Sequence, residues 1–480
     1  MPTCIIQVLD EVNCRLVGLD DHTLKIAVDE LTFAVKNSHY MEKVRAKRWN
    51  GKIPLLKKSG TTYRHLLGKI LPIILRGDYK IVIDDRRPDY SITVPEIQNN
   101  LFEGFEYKRF KGIMEEHQVE AINTITSNGG GLILVPTGGG KTIITAGLSQ
   151  LYYRLGKVLI IVPRTDLAIE TRDTIRAMGM PDCGAYFGEL HEPDYITVVT
   201  WQSLAERPEL FADVATVIVD EVHGVRADVL FKLLVGPGKN AQVRIGMTGT
   251  MPSDDLSKYN IIGAIGPMIY QKRAKELQAK GFLASCHIFI LKYLDQCRAS
   301  YQTVKHLHQY YTDEGQWQYS NETRMAHLAD TIREMATNAD VGGNTLVLLR
   351  YREYGARLHA LLPEAIYLNG DDKAAYRHRI YQEINKKNNA ILICTYGIAS
   401  TGIDVARIFN LVLIEPGKEA IPIVQSIGRG LRKADDKDSV YVFHIASDAK
   451  FSVRHVKEVQ RIYKEHEYPY EIIEVDYEVK

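Results

Sequence analysis

A chain of 480 residues has room for two or three domains, and 45% hydrophobic with 25% charged residues is ordinary for a globular protein. Sixty basic against 59 acidic residues leave a net charge of +1, so bulk charge excludes no partner and only its distribution informs. No apolar run approaches the ~20 residues that cross a bilayer, MPTCIIQVLDEVNC lacks the marks of an export signal, and six scattered cysteines without a C-x-x-C pair argue against structural zinc or a disulfide framework. A reducing, cytoplasmic setting is expected.

Residues 1–98 read as a small N-terminal α+β domain, with short β-like runs at Cys4–Leu9, Leu24–Val28, Leu31–Val35 and Lys80–Ile83. Within it, Lys43 to Lys69 carries nine basic residues and no acid, interleaved with Trp49 and Tyr63 and broken at Asn50-Gly51 and Ser59-Gly60. Lys47, Arg48, Lys52, Lys57 and Lys58 can neutralise phosphates while Trp49 stacks or wedges, which makes them nucleic-acid candidates. A solvated basic face is the competing reading.

From residue 99 the texture changes to continuous apolar runs alternating with helical stretches, as suits strands buried on both faces of a parallel sheet. One series comprises 131–135, 157–162, 196–200 and 216–220; a second comprises 345–349, 390–395, 410–415 and 439–445. Two such series imply two α/β lobes, at 99–268 and 285–480, joined by a linker at 269–284 in which Tyr270–Leu283 reads as helix and turn. Tyr301 to Tyr319 reads as a solvated helix pair.

Three motifs carry chemistry. Val135-Pro-Thr-Gly-Gly-Gly-Lys-Thr142 lies between a strand and a helix. Its glycines (Gly138, Gly139, Gly140), with Pro136 and Thr137, let backbone N–H groups and a helix N-terminus face phosphate oxygens. Lys141 can reach the β- and γ-phosphates, and the Thr142 hydroxyl can ligate magnesium. Asp220-Glu-Val-His223 ends the run TVIVD: Asp220 is expected to hold magnesium, Glu221 to polarise the attacking water, and His223 to couple hydrolysis to motion. In Gln425-Ser-Ile-Gly-Arg-Gly-Leu-Arg432, Arg429 and Arg432 are three apart and are expected on one helix face, as groups that meet the charge developing on a departing phosphoryl group.

In order and content these motifs resemble motifs I, II and VI of superfamily 2 DNA helicases, and other segments fit the series over residues 110–435. His117-Gln118 resembles the adenine-reading element. Pro163-Arg164 and Thr200 stand where motifs Ia and Ib touch the nucleic-acid backbone, Thr248-Gly249-Thr250 where S/T-A-T couples hydrolysis to movement, and Arg350 near motif IV. Thr395-Tyr396, with Gly402 and Asp404, resembles motif V. The resemblance implies two RecA-like lobes, ATP and Mg2+, a DNA partner and a catalytic role for Gln425. Arg48-Trp-Asn-Gly-Lys-Ile-Pro-Leu-Leu56 further resembles an element of phage recombination helicases of the UvsW type, which unwind and branch-migrate forked or junction DNA; such a chain would work in the host cytoplasm. D-E-V-H is shared with XPB-type repair helicases, and an RNA helicase or a binding module with a vestigial ATPase are the other classes.

Overall fold

The computed structural model describes residues 2–88, 93–108, 110–226, 228–295, 307–338, 342–400, 405–415, 420–434 and 436–478. The chain divides into two compact units, Met1–Val135 with Gly140–Lys272 and Pro136–Gly139 with Arg273–Lys480.

The first unit begins with a four-stranded sheet in the order β5-β2-β1-β6, built from β1 (Thr3–Val8), β2 (Asn13–Val17), β5 (Thr61–Tyr63) and β6 (Lys80–Asp85). Cys4, Ile6 and Val8 are buried at every second position of β1, the period of a sheet with one covered face. Leu24–Val28, expected as strand, instead lies inside helix α1 (Asp21–Glu30). Its alternation also fits helical spacing, and the Asp20 carboxylate decides by accepting the Thr23 amide at 2.9 Å as an N-cap. β3 (Thr32–Ala34) and β4 (Lys52–Pro54) pair antiparallel and close off an excursion that carries the short helix α2 (Glu42–Arg45). Helix α3 (Leu67–Arg76), with Ile70 and Ile74 buried, follows β5.

The same unit continues as an eight-stranded sheet in the order β10-β9-β11-β8-β12-β13-β7-β14. Its strands are β7 (Gly130–Leu134), β8 (Lys157–Val162), β9 (Cys183–Phe187), β10 (Leu190–Glu192), β11 (Ile196–Thr200), β12 (Val214–Asp220), β13 (Val243–Thr248) and β14 (Met268–Gln271). All pairs are parallel except β9 with β10. Every residue of β12 is buried; Ile218 joins the core on one face while Val217 and Val219 join that on the other. Tyr270–Gln271 extends this sheet, which corrects the expected start of a linker helix; the helix there is α10 (Ala274–Ala279). Helices α4 (Glu116–Asn128), α5 (Lys141–Tyr152), α6 (Thr165–Ala177), α7 (Trp201–Glu206), α8 (Asp228–Val235) and α9 (Asp255–Ile265) flank the strands.

The N-terminal domain is docked on this lobe. Phe33 stacks on Tyr259 of α9 at 4.6 Å between centroids, and Tyr63 meets Phe231 of α8 edge-on. A Cβ on Gly263 would lie 2.8 Å from the Tyr63 ring, so this helical glycine makes room for the contact. The Glu11 amide donates to the Lys239 carbonyl at 3.1 Å. Arg244 of β13 is fully buried beneath the junction and donates to the carbonyls of Leu234, Gly238 and Ala264 at 2.9, 2.6 and 2.7 Å.

The second unit is a wholly parallel sheet in the order β17-β18-β16-β19-β20-β15-β21. It comprises β15 (Ser285–Tyr293), β16 (Thr345–Leu349), β17 (Ile366–Leu368), β18 (Ile391–Thr395), β19 (Asn410–Ile414), β20 (Ser439–Ser447) and β21 (Tyr470–Val475). Helices α11 (Leu307–Ser320), α12 (Glu322–Thr337), α13 (Arg352–Leu361), α14 (Ala374–Ile384), α15 (Tyr396–Ser400), α16 (Ala420–Gly430) and α17 (Lys450–Glu465) pack around it. The solvated helix pair expected at Tyr301–Tyr319 is corrected in part, its first six residues lying outside the described ones. Glu314 is buried and accepts the Phe451 and Ser452 amides at the start of α17 at 3.0 and 2.9 Å. Two tandem RecA-like α/β lobes behind an α+β N-terminal domain are thus the observed fold class, as expected.

Candidate functional site

Strand order brings three of the motifs together. β13 lies between β12 and β7, so the acid pair ending β12, Thr248 ending β13 and the glycine loop after β7 occupy successive strand ends. The Val135 amide donates to the Thr248 carbonyl at 3.0 Å and ties two of them directly.

The loop leads into α5 through Gly140, whose φ of 78° is left-handed; no side chain caps this helix. Gln118 Nε2 would sit 2.1 Å from a Cβ at Gly140, so glycine is required for space as well as for angle. Gln118 is itself fixed, its Oε1 accepting the Glu115 amide at 3.0 Å. Lys141 Nζ lies 3.5 Å from Glu221 Oε1. The other Glu221 oxygen is 3.3 Å from His223 Nδ1 and 3.4 Å from the Thr248 hydroxyl, and His223 Nδ1 and that hydroxyl are 3.0 Å apart. The Thr250 amide donates back to Thr248 Oγ1 at 3.2 Å. Lys141, Glu221, His223, Thr248 and Thr250 therefore form one polar chain; Gly249 connects its last two members.

Burial and the adjacent Glu221 carboxylate raise the Asp220 carboxyl above its ordinary range. Burial also pushes Glu221 upward, but the Lys141 ammonium and His223 outweigh it and hold that carboxyl well down. The pair is thus split, with Glu221 the more readily ionised carboxyl and Asp220 the one that a nearby cation would most favour in its charged form.

The residues fit a nucleotide triphosphate with magnesium. An uncapped helix start behind a glycine loop offers N–H donors to phosphate, and Lys141 can leave Glu221 for a phosphate oxygen. The described residues contain no group of three or more His, Cys, Asp or Glu placed to hold a metal. Magnesium needs none, since it leans on one carboxylate, a hydroxyl, phosphate and water; Asp220 and Thr142 would supply the first two.

The expected nucleic-acid residues divide. Pro163-Arg164 and Thr200 end the neighbouring strands β8 and β11, and Arg350 and Thr395 end the neighbours β16 and β18. Arg164 is half-buried beside Asp166 at 3.3 Å. Thr200 is buried, its hydroxyl accepting the Ser203 amide at the start of α7. The Tyr396 hydroxyl is buried without a hydrogen-bond partner among the described residues. Lys47, Arg48, Lys52, Lys57 and Lys58 are all exposed. Trp49 is half-buried, and its indole N–H donates to the Lys52 carbonyl at 3.0 Å, closing the Asn50-Gly51 turn. Tyr40, which sequence reasoning missed, is 74% exposed on the same excursion and packs beside His39; its position just ahead of the basic run was the only signal.

In the second unit, α16 ends at Gly430, so Arg429 lies in its last turn and Arg432 beyond it; the expected shared helix face is corrected. The glycine and the turn that follows break the helix between them. Arg429 is buried, as is most of the surrounding α16, and Gln425 lies one turn earlier. Gly402 and Asp404 lie outside the described residues.

Residues 111–253 match the family model described as "Type III restriction enzyme, res subunit", and residues 325–434 the "Helicase conserved C-terminal domain". In chain order, the two matches take in more than half of the sequence. The chain belongs to the superfamily 2 helicases. The first match contains the glycine loop, the acid pair and Thr248–Thr250 of the helicase; the second contains Arg350, Thr395, Arg429 and Arg432. Among curated relatives, the ATP-dependent DNA helicase uvsW of Enterobacteria phage T4 is 23% identical over 469 residues, spanning 90% of this helicase and 88% of that protein. The DNA 3'-5' helicase XPB of Kineococcus radiotolerans is 24% identical over 76% of this helicase and 65% of that protein. Among solved structures, the ATP-dependent Type ISP restriction-modification enzyme LlaBIII bound to DNA shares the fold with a TM-score of 0.57 at 17% identity, covering 85% of this helicase and 34% of that chain.

Proposed function

We propose that this superfamily 2 helicase, an ATP-dependent DNA helicase, works on forked and junction DNA, which it unwinds or branch-migrates. Lys141 and the N–H groups at the start of α5 bind the triphosphate, and Thr142 with Asp220 would hold a magnesium ion that supplies positive charge to its phosphates. Glu221, released by Lys141 as that ammonium turns to the phosphates and still beside His223, accepts a proton from the attacking water. Arg429 and Arg432 stabilise charge on the phosphoryl group as it transfers. His223 and Thr248, hydrogen-bonded to each other and to Glu221, carry the change in phosphate occupancy into β13.

One observation supports the branched substrate most: seven exposed basic side chains (Lys43, Arg45, Lys47, Arg48, Lys52, Lys57 and Lys58) stand on a domain docked to the lobe that holds the nucleotide cradle. A cationic surface fixed to the motor grips backbone phosphates without reading bases. The test is steady-state ATP hydrolysis and strand exchange on single-stranded, duplex, forked and four-way DNA, with Lys141→Ala as the blank. Forked and four-way DNA should stimulate most. Equal stimulation by single-stranded RNA would overturn the reading in favour of an RNA helicase.

A further inference from the structure

Lys437 is a lysine almost wholly withdrawn from water, with 2% of its surface exposed. Burying an ammonium is costly unless its three donors are satisfied. Here they are spent on backbone: Nζ donates to the carbonyls of Ala406 at 3.2 Å, Arg432 at 2.9 Å, and Gly430. Gly430 is the last residue of α16, so the ammonium supplies a hydrogen bond and a positive charge where a helix exposes unsatisfied carbonyls and the negative end of its dipole. Arg432 lies past the helix, tied back to it only by the long bond of its amide to the Arg429 carbonyl at 3.4 Å among the backbone bonds of the described residues. Ala406 follows the motif V segment by two residues.

The turn that delivers Lys437 is also secured. The Lys437 amide donates to the Ala434 carbonyl at 3.0 Å. The neighbouring Asp436 pairs with Arg407 at 2.6 Å, and Arg407 Nη1 donates to the carbonyls of Asn385 and Lys387 at 3.3 and 3.0 Å.

We infer that Lys437 is a positioning residue for hydrolysis: one ammonium ties the chain leaving motif V to the chain carrying Arg429 and Arg432, and sets where the Arg432 guanidinium can reach. This rests on the reading of Arg432 as a group that meets the transferring phosphoryl charge. A plain helix cap would need only the Gly430 carbonyl. The bonds to Arg432 and Ala406 reach beyond the helix, to the parts on either side that must move together if motifs V and VI act as one.

A double-mutant cycle on the full chain with saturating forked DNA tests it. Arg432→Ala should lower kcat by about 10²–10³-fold, the scale of losing one preorganised charge-stabilising group. Lys437→Met should lower kcat by about 10²-fold, the scale of a misplaced catalytic group, while KM for ATP and the affinity for a fluorescent ATP analogue change less than twofold. Lys437→Arg should recover most of the rate. The double variant should be no slower than Arg432→Ala alone, because the two act through one guanidinium. Should Lys437→Met fail to fold by thermal melt, Lys437→Gln, which keeps an amide donor, replaces it in the cycle. Multiplying losses in the double variant, a parallel rise in KM, or an unchanged kcat for the Lys437 variant would overturn the inference. An unchanged kcat for Arg432→Ala would instead remove the role given to Arg432, and the inference with it.

Discussion

Glu221 holds a backbone φ of 50°, a region in which non-glycine side chains are strained, and it does so between the buried Asp220 and the ion pair to Lys141. Strain of this kind survives only where neighbours hold it, and here they also set its charge. Glu221→Gln should keep ATP binding and lower kcat by at least about 10²-fold, the ordinary share of a positioned base, as read by steady-state hydrolysis with DNA present. His65 offers a separate test at this scale. Burial, then the Arg64, Arg244 and Arg87 charges, push its pKa down to about 3, and Arg64 Nη2 approaches its Nε2 at 3.3 Å. The unfolded chain, with an ordinary value of about 6.5, then binds more protons between these two pKa values, so stability falls as pH drops below 6.5. By pH 5 the loss from this ring should be about 2 kcal/mol. Urea melts at pH 7 and pH 5 check it, and His65→Gln should shrink the difference between them by that amount.

At the scale of elements, the legible strands were those whose runs are apolar throughout. β12 reads as TVIVD and is buried along its length. β13 was missed, although it carries Thr248, because Arg244 and Gly246 interrupt VRIGMT. Arg244 is there to hold three carbonyls at the domain junction, a tertiary need that no local pattern shows. Motif spacing likewise revealed the glycine loop and the acid pair, but not the order β12-β13-β7 that lines up their strand ends. The break of α16 between Arg429 and Arg432 was hidden because helical spacing alone makes residues three apart look like neighbours. At the junction, Phe33→Ala and Tyr259→Ala should each destabilise the chain, and their cycle should show a coupling of about 1 kcal/mol beyond the separate losses of area, measured by denaturant melts.

For the whole molecule, what matters is that the basic segment is carried on the compact unit that also holds Lys141 and the acid pair, and not on a tether. Neutralising Lys47, Arg48, Lys57 and Lys58 together should weaken forked-DNA binding and lower the slope of log affinity against log salt by about 3–4, roughly one per removed phosphate contact. Hydrolysis without DNA should persist, because none of the four touches the cradle; salt titrations and DNA-free turnover check both parts. The composition predicted neither outcome, since +1 overall is the sum of a cationic stretch and acids placed elsewhere.

The docked domain also fixes an order of assembly. Phe33 and Tyr63 leave the ribosome well before their partners Phe231, Tyr259 and Gly263, close to 200 residues downstream. At about 5–20 residues per second, that is an interval of about 10–40 s. For that time the N-terminal domain holds aromatic surface that its partners on the lobe have yet to cover, so the nascent chain, more than the finished protein, is where a holdase chaperone would find its grip.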